Sequence, residues 1–357
     1  MSASSDRPIS LDPFETGGNP VHCRTLIVDI HADEDRCVRA LATIADLRKQ
    51  GWVPTGGELQ AAGFVHHMSL DVLVGAESRR IERFEPSQRV VACESSERTG
   101  GDSCRDPIHR LRGMVGETLD AGSLRRLGRR FGGPLGCSHL LTLAQLVTSF
   151  LPPVLEGETR RALEQPHRRE AGERIATRTI VIDGFERRGG NLEIAVQLTD
   201  LHTRPFSSMS DLLDRLSAQH EVRAIIRVDS GSTITDFDVA ERLRIRTGFA
   251  DARWQSRREE LDWLGGQPAL GGLASQLRRR HGADSAREPL LAALLNFAPG
   301  LVQCLSTRAT DMLEQEARRH GRLMLPGGAD IRGRPDSCYM WRTGGRMPGA
   351  RRVHDQD

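Results

Sequence analysis

Two stretches of the chain alternate apolar and polar side chains with a period of two: "TLIVDIHADEDRCVRALATIADL" from Thr25 and "TIVIDGFERRGGNLEIAVQLTDL" from Thr179. That period places successive side chains on opposite faces of a strand, so each stretch predicts two strands joined by a polar turn, "HADED" in one and "ERRGG" in the other. "LDVLVGAESRRIERFE" (70–85) and "AIIRVDSGSTITDFD" (224–238) predict a second hairpin in each half. The period then changes. Leu140, Leu143, Ala144, Val147 and Leu151 recur at helical spacing, and "PLLAALLNFAPGLVQCL" (289–305) is a comparable apolar run.

The halves correspond residue by residue. An offset of 154 runs without a gap from Thr25/Thr179 through Asp29/Asp183 to Asp46/Asp200, and Ile81 and Phe84 correspond to Ile234 and Phe237. An internal repeat dictates architecture. The expected fold is α+β: two related units, each an antiparallel sheet of about four strands in two hairpins followed by packed helices, forming a pseudo-symmetric pair within one chain. The length of 357 residues also suggests two domains. The units are placed at 21–156 and 175–345, with a charged linker at 157–174 and disordered ends at 1–20 and 346–357.

The units differ where chemistry is expected. "CESSERTGGDSCRDPIH" (93–109) has almost no counterpart in the second, and Gly136, Cys137, Ser138 and His139 fall opposite "AREP" (286–289). Gly136 breaks the chain before the apolar helix, so Cys137 or Ser138 lies at or near its N-cap. Unpaired backbone N–H groups there favour a thiolate or a bound anion. Cys137 is the candidate nucleophile or anion anchor and His139 its acid/base partner. Asp200, with Asp46 in the same place in the first half, is a candidate strand-end base. Ser138, Gly136 and Arg187 are candidate substrate contacts. The plain alternative is a capped helix whose Cys137 packs as a small apolar residue. A metal reading also stands, because Cys104, Cys137, His139 and Cys338 are ligand types that zinc prefers, although Cys-x-His lacks a Cys-x-x-Cys clip. His66 and His67 read as an exposed pair in a loop.

At "TRTIVIDGFERRGGNLEIAVQLTD", "GCSHL" and "DSCYMWRTGG" (336–345), the sequence resembles the bacterial domain-of-unknown-function family 2889, apparently duplicated in tandem. That family usually shows Gly-Cys-Thr-His-Leu at the second motif and a cysteine near the place of Cys104. The resemblance implies no reaction and no cofactor.

Composition narrows the classes. Net charge is +2, and all but one of the 50 basic residues are arginines, in clusters offset by neighbouring acids. A continuous phosphate-binding stripe, and hence a nucleic-acid partner, is not expected. The apolar run at 140–155 reads as too short and too interrupted by Pro152 and Pro153 to span a bilayer. Seven cysteines and the absence of a secretory pattern at "MSASSDRPIS" suggest reduced thiols in the cytoplasm. Three functions fit: an enzyme acting on a small anionic organic acid or acyl derivative, a non-catalytic ligand-binding or scaffold protein, and a Cys/His metal-binding protein.

Overall fold

A computed structural model describes residues 10–11, 14–54, 59–97, 99–164, 169–206, 213–247, 249–282, 284–307, 318–319 and 335–346. Two short strands, β1 (Ser10–Leu11) and β2 (Phe14–Glu15), pair with each other. The first half then forms an antiparallel meander of β3 (Asn19–Ala32), β4 (Cys37–Pro54), β5 (Leu59–Gly75) and β6 (Ile81–Val90). It is followed by α1 (Ser123–Phe131) and α2 (Ser138–Glu164). The second half repeats the order with β7 (Arg174–Glu186), β8 (Leu192–Thr203), β9 (Leu216–Val228), β10 (Ile234–Ile245) and a short β11 (Gln255–Ser256), then α3 (Leu273–His281) and α4 (Glu288–Leu305).

The two meanders join edge to edge. β3 pairs antiparallel with β7, giving one nine-stranded sheet in the order β11-β10-β9-β8-β7-β3-β4-β5-β6. Leu26 stands opposite Ile180, its counterpart at the offset of 154. One face of this α+β sheet is covered by helices: α2 lies on β3, β4 and β5, and α4 on β7, β8 and β9. Alternate residues Leu26, Val28 and Ile30 of β3, and Ile180 and Ile182 of β7, point into the layer beneath them. A single buried apolar cluster runs through both halves, because the β3–β7 ladder merges what length alone suggested would be two cores.

Several expectations change. Residues 14–20 were expected to be disordered, but β2 and the start of β3 lie there, and Phe14 packs beside Ile225 and Ala240. The start of the expected linker is the last part of α2, which runs to Glu164. Its Glu158 pairs with Arg161 one turn on. Pro152 and Pro153 lie inside this 27-residue helix rather than ending it. Burial of Leu146, Val147, Phe150, Leu151, Val154 and Leu155 around them outweighs a penalty of roughly 3 kcal/mol for an interior proline. By length and composition α2 and the segment Ser285–Leu305 could each cross a membrane, and about half of each window (56% and 50%) is buried within the protein.

Candidate functional site

Strand register assembles the site. Arg24 of β3 stands opposite Asp46 of β4, and Asp46 opposite His66 of β5, so the three lie in one row on the helix-covered face. His22 shares that face with Arg24 at the period of two. His139 descends from the first turn of α2, and Gln303 from the last turn of α4.

The centre is Asp46, which is fully buried. Arg24 donates from Nε to Oδ1 at 2.7 Å and from Nη2 to Oδ2 at 2.9 Å, the two-pronged grip that suits a carboxylate. His22 Nε2 lies 3.1 Å from Oδ1. On the other oxygen, Oδ2, His66 Nδ1 approaches to 3.2 Å and His139 Nε2 to 3.4 Å. The His66 and His139 rings stack with centroids 3.7 Å apart. Burial alone would raise the Asp46 carboxyl; the Arg24 charge and the His22 hydrogen bond outweigh it and hold the group well below its usual range. Burial pushes His22 down and His139 well down, so both imidazoles are neutral.

Two ring nitrogens face Oδ2. His66 Nδ1 is buried and has no hydrogen-bond partner, its approach to Oδ2 falling outside hydrogen-bonding geometry. His139 Nε2 meets the Gln303 amide nitrogen at 3.1 Å. An amide N–H donates there, which makes Nε2 the lone-pair nitrogen and puts the ring proton on Nδ1. Nδ1 lies 3.9 Å from Cys137 Sγ. Asp46, His66 and His139 thus present one oxygen and two nitrogens mutually within 4.8 Å, a set that could hold a metal ion.

The second half keeps the row and changes its chemistry. Arg178 donates to Asp200 at 2.7 and 2.6 Å, and also to Glu288 Oε1 at 2.7 Å, with its guanidinium 4.2 Å over the Phe150 ring. His220, opposite Asp200 in register as His66 is opposite Asp46, turns to Glu241 at 3.3 Å instead. Ala176 and Pro289 stand in the places of His22 and His139.

Of the residues singled out from sequence, Cys137 and His139 come together. Asp200 does not join them: it lies in the second half with Arg178 and Glu288, and its counterpart Asp46 holds the position beside His139, inside a strand rather than at its end. Arg187 lies at the β7–β8 turn and pairs with Glu193 at 2.6 Å, outside this cluster. Ser138 opens α2, and Gly136 is needed for close packing, since a Cβ there would lie 2.2 Å from the Phe131 carbonyl oxygen. Cys137 is 5% exposed, and burial pushes its thiol up to about 12 although the N–H groups of Leu140 and His139 oppose that shift. His66 was expected in an exposed loop; it lies within β5 and faces inward, while His67 takes the opposite face. Of the other metal candidates, Cys104 N donates to Cys93 O at 3.0 Å and Cys338 precedes Tyr339, whose N–H donates to Gly136 O at 2.8 Å; neither belongs to the group of Asp46, His66 and His139.

Residues 22–151 match the family described as "Protein of unknown function (DUF2889)". No curated protein and no solved structure matches the chain. The matched region runs from β3 into α2. It includes His22, Arg24, Asp46, His66 and His139.

Proposed function

We propose that this is a metal-binding protein whose first half holds a divalent first-row transition ion on Asp46 Oδ2, His66 Nδ1 and His139 Nε2. The observation that carries the reading is a buried His66 nitrogen without a hydrogen-bond partner, aimed at the same carboxylate oxygen as a second imidazole. Two imidazoles and one carboxylate are a ligand set for iron(II), manganese, cobalt or zinc that leaves coordination positions open. Arg24 and His22 would orient the carboxylate as outer partners, and an ion on His139 Nε2 would displace the Gln303 amide from that lone pair. Asp46 and Arg24 cancel in charge, so a dication leaves the centre positive. It would take an anionic ligand, hydroxide or the carboxylate of a small organic acid. That makes an enzyme acting on such an acid the catalytic form of the same reading.

The two halves are read as a tandem duplication with a pseudo-twofold axis between β3 and β7. Support comes from the opposition of Leu26 to its counterpart Ile180 and from the repeated Arg–Asp pair. In this reading the second half keeps the structural pair, closed by Glu288, and the first half adds the histidines.

A second reading has one observation in its favour: Cys137 Sγ, His139 and Asp46 form a line, at 3.9 Å and 3.4 Å through opposite ring nitrogens. A thiol at about 12 is a poor nucleophile near neutral pH, which favours the metal.

Cobalt(II) titration of the full chain, followed by calorimetry and metal content, tests the proposal. The expected result is that His66→Ala with His139→Ala lowers the stoichiometry by one ion per chain. Equal binding by wild type and a folded double variant would reject it. Fast alkylation of Cys137 in native protein at neutral pH would favour the thiol reading instead.

A further inference from the structure

The junction of the two halves also shapes a cleft, at one end of the β3–β7 ladder. His31 of β3 stands opposite Arg174 of β7, the last pair of that ladder. Gly172, with φ at +84° where a side chain would be strained, turns the chain into β7 and donates to Ala32 O at 2.8 Å, while Ala32 N donates to Glu173 O at 2.9 Å. This turn, Leu201 of β8, Leu216 of β9 and Phe206 between those strands border a cleft of about 510 Å³, a volume in the range of small-molecule sites. His31 Nδ1 lies 3.1 Å from Gly172 O, which fixes the ring in the wall.

One cation in this cleft is short of a partner. Arg215 stacks its guanidinium 3.4 Å over the Phe206 ring, which covers a face of the group and leaves its N–H edge to make hydrogen bonds. Nη2 reaches Arg174 O at 3.5 Å, whereas Nη1 is buried and has no hydrogen-bond partner among the described residues. Glu173 Oε1 stands 3.9 Å from it and already accepts from Phe206 N, and Oε2 accepts from Glu170 N at 3.1 Å. Arg174 is half-exposed and comes only to 3.6 Å from Asp29, whose Oδ1 takes the Thr177 hydroxyl at 2.7 Å. A buried N–H of a charged group without an acceptor is costly, so an anion in front of Nη1 would complete the cleft.

We infer that this cleft binds a small monocarboxylic acid with an apolar or aromatic body, its carboxylate on Arg215 Nη1 with Arg174 as the second cation, and its body against Phe206, Leu201 and Leu216. A guanidinium edge is the donor that suits a carboxylate, and leucine and phenylalanine walls suit a carbon skeleton better than a sugar or a bare ion. Among the described residues two arginines and one carboxylate, Glu173, line the cleft, so the surplus charge matches a monoanion. A phosphate dianion would meet the Glu173 carboxylate. The cleft shares no residue with the Asp46 centre and does not depend on it, because Arg24 and His31 lie about 23 Å apart along β3.

Titration of the full chain with benzoate, followed by saturation-transfer NMR, is the test. In the wild type, benzoate is expected to bind and uncharged benzamide to bind at least about tenfold more weakly, a comparison that needs no variant. Arg215→Met should weaken benzoate by at least about tenfold, Arg215→Lys should restore part of that loss, and Arg174→Met, at a half-exposed position, should weaken it as well. His66→Ala with His139→Ala should leave it unchanged. Equal affinity for benzoate and benzamide, no binding of benzoate, unchanged binding in a folded Arg215→Met, or displacement of benzoate by inorganic phosphate at equal concentration would overturn the inference. Loss of benzoate in the histidine double variant would also overturn it, by moving the acid to the Asp46 centre. Failure of that centre shows in the cobalt titration and leaves benzoate affinity as it is, so the two failures are distinguishable.

Discussion

Arg24 and Asp46 stand opposite each other on β3 and β4 and exchange two hydrogen bonds, of 2.7 and 2.9 Å, while neither is more than 1% exposed. Breaking one side of such a buried pair leaves an uncompensated charge. Asp46→Leu or Arg24→Met alone is expected to destabilise the fold by about 3–5 kcal/mol, whereas the double replacement recovers most of that loss. Urea unfolding of the three metal-free variants measures it. A double variant as unstable as the two losses combined would mean that the pair is not the unit of stability.

His22 does not belong to the proposed ligand set, yet it holds the Asp46 oxygen that faces away from it, at 3.1 Å. His22→Ala is expected to weaken cobalt(II) binding by about 10–100-fold with stoichiometry unchanged. Calorimetric titration separates the two quantities. Loss of an ion per chain would instead make His22 a ligand.

The elements around this centre were legible in the sequence, but of its side chains only His139 and Asp46 stood out, and His22, Arg24 and Gln303 did not. Alternation marked the hairpins, helical spacing marked α2, and the offset of 154 paired Asp46 with Asp200. What local pattern does not carry is long-range pairing. The β3–β7 ladder, which joins residues about 150 apart, has no signature in either strand, so one merged sheet was not foreseen. Two adjacent histidines read as a loop, although in a strand the period of two sends one inward and the other out, and His66 is the inward one. Asp200 and Asp46 looked equivalent because the distinction is made by Glu288, which enters from α4 and satisfies Arg178. Cys93 was visible in the insert, but nothing in its spacing placed it beside Cys104.

Gly184 of β7 and Cys304 of α4 set the approach of that helix to the sheet, since a Cβ on Gly184 would lie 2.1 Å from Cys304 Sγ. Gly184→Ala is expected to cost about 1–3 kcal/mol through overpacking. Cys304→Ala removes the colliding sulfur, so the double variant should be more stable than the sum of the single losses predicts. Thermal unfolding of the four proteins gives the coupling, and additive losses would rule out this contact as the cause.

Acid should loosen the fold in two stages. His202 is pushed below 6.5, first by burial, so the folded state binds its proton less readily than the unfolded chain does. For such a group the stabilising contribution is full above the unfolded value of 6.5 and is lost as pH falls from there through the lower folded value. The carboxyl of Glu158 follows the same sign at lower pH: burial raises it, but Arg169 and Arg161 outweigh that and hold it below 4.5, so its contribution disappears only in more acidic solution. Urea midpoints of metal-free protein should therefore fall between pH 7 and 5, and His202→Gln should lessen that fall, leaving the part due to His22 and His139 and the decline below pH 4.5. A flat wild-type profile from pH 7 to 5 would show that His202 takes up its proton as easily in the fold as outside it, and that the polar layer beside Phe150 is wetter than its burial implies.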